Sequence, residues 1–277
     1  MMNSNERDVL CVKDLHVHVA TSKGVSTLIQ DINFEVKKGQ ILGLVGESGC
    51  GKTVTSMSIL QLHDKNNLQI KGSITLEGKE LNGLENKEMR KIRGKDIAFV
   101  MQNPMNAFTP VFTIGHQFIE TIKSHTSLTK KQAKELAMDV LESVNLENPN
   151  KLLKSYPFQL SGGMLQRVMI AIAACLQPSV IIADEPTTAL DLHSQLLVLR
   201  LLDKIRTEYG TAILLISHDL GVISEMADDC IVMQNGRIVE SANVLELFDN
   251  PKHEYTRQLL RTRPTLYSEK QPYTYML

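Results

Sequence analysis

The sequence lacks any apolar run long enough to cross a bilayer. The longest, residues 168–176, is less than half of the ~20 residues that a membrane-spanning helix needs. Residues 1–8 are polar and hold no apolar signal core, so the expectation is a soluble, cytoplasmic chain. Net charge is lacking as well. The 30 lysines and arginines nearly cancel the 31 acidic residues, which leaves no electrostatic footprint for general nucleic-acid binding. The densest basic run, Arg90-Lys91-Ile92-Arg93-Gly94-Lys95, is short and interrupted, and reads as a solvated face. Cysteine is scarce. Cys11, Cys50, Cys175 and Cys230 lie far apart without C-x-x-C spacing, so neither a disulfide framework nor a cysteine metal site is indicated. No internal repeat is visible. A length of 277 residues with an ordinary hydrophobic share of 43% then suits one large domain, or one domain with a subdomain.

What is present centres on Gly46-Glu47-Ser48-Gly49-Cys50-Gly51-Lys52-Thr53, which fits G-x-x-x-x-G-K-[ST], the phosphate-binding loop. The apolar run Ile41-Leu42-Gly43-Leu44-Val45 before it reads as a buried parallel strand, and residues 53–62 after it read as a helix. A loop at a strand-to-helix turn is the context the motif requires. Its glycines let successive backbone N–H groups converge on one anion, and the helix N-terminus adds its positive end. Lys52 is placed to reach the β- and γ-phosphates and the Thr53 hydroxyl to bind Mg²⁺.

Around this loop the chain alternates between β and helical patterns. Residues 9–19 and 32–36 alternate as strands of an antiparallel layer, with His16 and His18 on one strand face. The reading of that pair is the polar face of an edge strand rather than a metal site. Residues 70–76 turn at Glu77-Gly78-Lys79 into another hairpin. Residues 97–101 form a short buried strand that Pro104 stops, leaving Gln102 at the strand end. Residues 113–157 turn helical, with a capping box at Thr129-Lys130-Lys131-Gln132. Leu160-Ser161-Gly162-Gly163-Met164 opens the next helix, where a serine and paired glycines make a second anion-binding geometry. Val180-Ile181-Ile182-Ala183 is a buried strand ending in Asp184-Glu185. Carboxylates there are costly unless they hold a metal or polarise water. Residues 212–216 form a further core strand ending at Ser217-His218-Asp219. Its place on the edge that carries the phosphate loop gives His218 a functional reading. A hairpin turning at Asn235-Gly236 and two helical stretches, 244–248 and 252–260, complete the pattern before a polar tail.

The order and spacing of the phosphate loop, Gln102, Leu160-Ser161-Gly162-Gly163, Asp184-Glu185 and His218 resemble those of an ATP-binding cassette (ABC) ATPase, from about residue 9 to residue 260. The fold implied is a P-loop NTPase α/β core with an antiparallel β layer and an inserted α-helical subdomain. Residues 1–265 would form the ATPase domain, with the helical subdomain at about 103–165 and residues 266–277 as a tail. The resemblance also implies roles. ATP would lie on residues 46–53, with Mg²⁺ on Thr53, Gln102 and Asp184. Glu185 would be the general base, His218 the switch histidine and Gln102 the sensor of a membrane partner. Ala189-Leu190-Asp191 resembles the D-loop. Ser161, Gly162 and Gly163 resemble the signature motif, which reads the ATP of an opposite protomer, so the active form would be a dimer of ATPase chains.

Met164 in the signature segment, the run from Ala183 through Asp191, and His253-Glu254-Tyr255-Thr256-Arg257 are similar to the dipeptide, oligopeptide and nickel importers. These work at the cytoplasmic face of the membrane with a second, different ATPase, two membrane subunits and an external binding protein. Peptide-type members usually extend further and carry a late cysteine cluster. Its absence here and the Leu165-Gln166-Arg167 form of the signature helix incline the reading to nickel or a chelated metal, with peptides as the alternative. An exporter ATPase shares the same catalytic set. The soluble cassette ATPases of DNA repair, chromosome structure or translation carry long coiled-coil arms, for which residues 54–160 leave no room, or two cassettes in one chain, and the near-neutral charge also argues against that class. Two points stay open. The family's aromatic platform for adenine falls at Val19, beside His18. Cys50 in the loop is either a tolerated small residue or a thiol whose alkylation blocks ATP binding.

Overall fold

The computed structural model describes residues 8–21, 24–63 and 68–261. The polar tail and Ser22-Lys23 lie outside the described residues. In chain order the elements are β1 (Asp8–Thr21), β2 (Gly24–Lys37), β3 (Ile41–Val45), α1 (Lys52–Ile59), β4 (Leu68–Leu76), β5 (Lys79–Glu80), α2 (Asn86–Ile92), β6 (Ile97–Val100), α3 (Ile114–His125), α4 (Lys130–Ser143), α5 (Pro149–Lys154), α6 (Gly162–Ala174), β7 (Val180–Asp184), α7 (Leu192–Tyr209), β8 (Ala212–Ile216), α8 (Leu220–Met226), β9 (Asp229–Gln234), β10 (Arg237–Asn243), α9 (Val244–Asp249) and α10 (Glu254–Arg261).

Two sheets form. The antiparallel one runs β2-β1-β4-β5, and the six-stranded one runs β10-β9-β3-β8-β7-β6. Within the larger sheet β9, β3, β8, β7 and β6 are parallel, and only β10 is antiparallel. The parallel strands are apolar at nearly every position because both of their faces are covered. Leu42, Leu44, Val180, Ile182, Leu214 and Ile216 point into one core with the antiparallel sheet and the end of α1. Their neighbours Ile41, Val45, Ile181, Ala183, Ile213 and Leu215 point into a second core with the helices. The two-residue period of a strand thus sorts one run of sequence into two cores.

The helices start where local chemistry lets them. Thr129 Oγ1 accepts from the Gln132 amide at 3.3 Å while Gln132 Oε1 accepts from the Thr129 amide at 3.0 Å, the reciprocal capping box. Behind it Ala133, Ala137 and Leu141 are buried along one face. Gly210, at φ 67°, ends α7 in the left-handed conformation.

Two short helices, α2 and α8, had no counterpart in the sequence pattern. Each has only two or three buried apolar residues, too few for a periodic signal. The basic run at 90–95 needs correction. Arg90, Lys91 and Lys95 are exposed, but Arg93 is half-buried. Its Nε donates to the Leu60 carbonyl at 2.6 Å and a terminal nitrogen to the Gln61 carbonyl at 2.7 Å. A guanidinium therefore closes the C-terminal end of the phosphate-loop helix, where carbonyls lack helical partners.

Candidate functional site

Register brings the site together. Leu44 of β3 pairs with Ile216 of β8, Ile216 with Asp184 of β7, and Ala183 with Val100 of β6. All four strands therefore end on one line. The phosphate loop, Ser217-His218, Asp184-Glu185 and Met101-Gln102 emerge side by side at the carboxyl edge of the sheet, the usual ligand edge of an open α/β sheet.

The loop is tightly walled. A Cβ on Gly46 would lie 2.3 Å from the Met233 carbonyl oxygen, and one on Gly51 2.6 Å from the Ile29 side chain; both residues also have positive φ. Larger residues fit neither position. Lys52 is buried, and its Nζ donates to the Gly46 and Glu47 carbonyls at 2.7 and 2.9 Å. Cys50 is buried too, its Sγ 3.9 Å from that ammonium.

Glu185 is the most heavily engaged of these side chains. Its Oε2 accepts from Gln102 Nε2 at 2.6 Å and from the Thr188 hydroxyl at 3.1 Å, and its Oε1 lies 3.0 Å from His218 Nδ1. Because a carboxylate only accepts, the imidazole proton sits on Nδ1 in that contact. The Glu185 backbone is left-handed at φ 47°, a cost on the order of 1 kcal/mol for a side-chain-bearing residue. Its amide donates to the Ile216 carbonyl at 2.8 Å, which holds the turn in place. Burial, and then the Glu185 charge, push the Asp184 carboxyl above its ordinary pKa, while Lys52 and a hydrogen bond from Thr53 pull the other way.

Leu28, Ser48, Gly49, Gly51, Lys52, Thr53, Val54, Gln102, Asp184, Glu185 and His218 line a cleft of about 560 Å³, within the range of small-molecule sites. Neither His18 nor Val19 is in that lining. The His18 ring stacks on His16 with centroids 6.3 Å apart, and its Nδ1 meets the Thr27 hydroxyl at 3.0 Å. The apolar wall is instead aliphatic, from Leu28 and Val54.

The donors around Thr53, Asp184, Gln102 and Glu185 that could face a cation are all oxygens, and Asp184 is a half-buried carboxylate opposed by its neighbour's charge. This hard, oxygen-only set fits Mg²⁺. Among the described residues no group of three or more His, Cys, Asp and Glu side chains could hold a metal unaided.

Ser161, Gly162 and Gly163 do not join this cleft. Ser161 caps α6, its Oγ accepting from the Met164 amide at 3.3 Å, and Ser161 and Gly162 are exposed. Gly163 is buried for packing: a Cβ there would lie 2.7 Å from the Ser194 Cβ at the start of α7. Asp191 caps α7, accepting from the Ser194 amide at 2.9 Å. Sequence reasoning missed Thr188, which touches Glu185 from within the same Ala183–Asp191 run. It also missed Tyr255, whose hydroxyl accepts from the Glu47 amide of the loop at 3.0 Å.

The comparisons agree with this geometry. The ABC transporter family profile matches residues 29–188. A probable peptide ABC transporter ATP-binding protein of Sinorhizobium fredii, y4tR, is 42% identical over 266 residues, 95% of this chain and 79% of the relative. The metal-staphylopine import system ATP-binding protein CntD of Staphylococcus aureus is 42% identical over 248 residues, 90% and 91% of the two chains. Among solved structures, the dimeric post-hydrolysis state of the cassette MJ0796 bound to ADP and Pi superposes with a TM-score of 0.75 at 25% identity, covering 85% of this chain and 98% of that one. No helix among the described residues is long and apolar enough to cross a membrane. The chain belongs to the ABC transporter family, as an ATP-binding cassette of its importer ATPases.

Proposed function

We propose that this chain is one of two different ATPases that drive an importer from the cytoplasmic face of the membrane. The observation that carries the reading is Glu185, held by Gln102, Thr188 and His218 beside the phosphate loop and Asp184. Glu185 takes the proton of the attacking water. His218 orients Glu185 and the γ-phosphate end of the cleft, and Gln102 ties the cleft to the segment that follows β6. Lys52 and the amides of residues 46–53 bind the phosphates of ATP. Thr53, Asp184 and Gln102 would hold Mg²⁺, which supplies charge neutralisation on the phosphate oxygens. Ser161, Gly162 and Gly163 act on the ATP of the opposite chain, so each site is completed by the partner ATPase. Residues 103–165 serve as the helical arm that faces two membrane subunits, with an external binding protein beyond them.

The cargo we assign is nickel or a chelated metal. Support comes from the Leu165-Gln166-Arg167 form of the signature helix and from the likeness to a relative named for metal-staphylopine import. A di- or oligopeptide is the second reading, favoured by relatives at the same 42% identity named for peptides, among them the OppD protein of Lactococcus lactis.

The test is to tag the chain in its own cell, solubilise the membranes gently and identify what co-purifies. Recovery with a second cassette ATPase and two multi-spanning proteins is the expected result. The matching binding protein is then titrated with nickel, metal chelates and short peptides, and tight peptide binding alone would overturn the metal assignment. Recovery from the soluble fraction with DNA or ribosomes would overturn the transport reading.

A further inference from the structure

The His253–Arg257 segment contributes nothing to the cleft lining, yet it reaches the phosphate loop. Tyr255 on α10 is buried, at 6% exposure, and its hydroxyl accepts from the Glu47 amide at 3.0 Å across 208 positions of sequence. The Glu47 carbonyl accepts in turn from Lys52 Nζ at 2.9 Å and from the Cys50 amide at 3.3 Å. The peptide groups on both sides of Glu47 are thus bound, and among the described residues Tyr255 is the one side chain outside the loop and its helix that binds them.

Tyr255 is itself held in place. Glu240 on β10 accepts from the Lys252 amide at 2.7 Å and from the His253 amide at 3.0 Å, which fixes the entry to α10. His253 Nδ1 then accepts from the Tyr255 amide at 3.2 Å. The strand carrying Glu240 pairs with β9, whose Met233 carbonyl walls Gly46. One rigid path therefore runs from the β9–β10 hairpin through the α10 entry to the first turn of the loop. Burial raises the phenol pKa, so the hydroxyl stays protonated and neutral at physiological pH.

We propose that Tyr255 is a positioning residue for ATP binding, and that the C-terminal segment around it is a strut pre-setting the phosphate loop. The hydroxyl anchors the Glu47 amide, so that the amides following it already converge when the phosphates arrive. Without that anchor the loop's first turn must be ordered at the moment of binding, and the cost falls on affinity. This rests on the reading of residues 46–53 as the phosphate site.

The test compares the full-length chain with Tyr255→Phe, which keeps the buried ring and removes only the hydroxyl. ATP and AMP affinities are measured by calorimetry, and Glu47 amide exchange is followed in the nucleotide-free protein. One hydrogen bond contributes about 0.5–1.5 kcal/mol net, which converts to about a 2–12-fold weaker Kd for ATP. AMP, which presents no β- or γ-phosphate to the loop, should bind both proteins alike, and the Glu47 amide should exchange faster in the variant. Unchanged ATP affinity, or an equal loss for ATP and AMP, overturns the strut. Failure of the unsubstituted chain to prefer ATP over AMP would instead overturn the phosphate-loop reading beneath it.

Discussion

Glu185 is touched by three side chains of its own protein, Gln102, Thr188 and His218. Ser161 and Gly162 are exposed, and a Cβ on Gly162 would meet only Leu190 at 3.8 Å. These two regions would serve one reaction, yet they are built by different means. The first is assembled by sheet register. Residues from 46 to 218 in sequence are brought to one edge because their strands pair in parallel and end together. The second is a local device, an exposed serine-capped helix start that takes no part in lining its own chain's cleft. A site closed by its own fold can bind nucleotide alone. An open helix start acquires a function only when another molecule supplies the ligand.

The contrast breaks or sharpens at defined points. The largest effect is expected for Glu185→Gln in the assembled ATPase pair. The variant should bind ATP much as the parent does, while turnover falls by about 10² or more, the scale of a lost general base. Near-normal steady-state hydrolysis would remove Glu185 from the base role.

Next comes Gly162→Asp, which introduces a charge on the exposed turn without a clash. ATP binding to the isolated chain should hold, whereas hydrolysis by the pair should fall about tenfold or more through repulsion of phosphate. If the isolated chain loses ATP affinity, the signature turn acts within its own chain and the contrast collapses.

Gly163→Ala should act on stability instead. The new methyl would lie 2.7 Å from the Ser194 Cβ and 2.5 Å from its hydroxyl oxygen. Overpacking where α6 meets α7 should cost about 1–3 kcal/mol in denaturant unfolding. Gly162→Ala should cost clearly less, and equal losses would refute the packing account of the buried glycine.

The smallest effect concerns Asp184. Burial and the Glu185 charge raise its folded-state pKa. The folded protein therefore holds that proton more tightly than the unfolded chain and loses stability as pH rises from the ordinary carboxylate value through the raised one. Asp184→Asn does not titrate. Without nucleotide or Mg²⁺ it should melt about 1–3 °C higher than the parent at pH 7–8. That gap should close as pH falls toward about 4, the ordinary aspartate pKa. A melting difference that does not change with pH would show that Asp184 carries no such penalty.

Much of this was legible in the chain because the motifs are short and chemically demanding. The loop glycines, the polar groups at the ends of apolar strands and the Thr129 capping box each declare themselves within a few residues. Arg93 did not. Its two carbonyl partners lie more than thirty positions earlier, so it read as one more surface charge. Tyr255 was hidden for the same reason, its partner lying 208 positions earlier, whereas Thr188 sits only three residues from Glu185 and was hidden because the left-handed turn at Glu185 that brings the two together is not written in residue type. The residues that line the cleft's apolar wall were not evident from sequence proximity to the expected platform. His18 lies beside the expected platform, but its strand neighbours His16 and Thr27 occupy its ring, and Leu28 and Val54 line the cleft.

What the sequence determined by itself was local: a backbone able to cradle phosphate, strands apolar on both faces, helices begun by hydroxyl and carboxylate caps. These follow from steric freedom, side-chain period and hydrogen bonding within about four residues. Only the tertiary structure decided that Gln102 and His218 meet on Glu185, that Arg93 closes α1, and that a phenol on α10 holds the loop's first turn. Such contacts depend on strand order and register, which emerge when two buried cores choose among many pairings at once, a choice no short stretch of chain encodes alone.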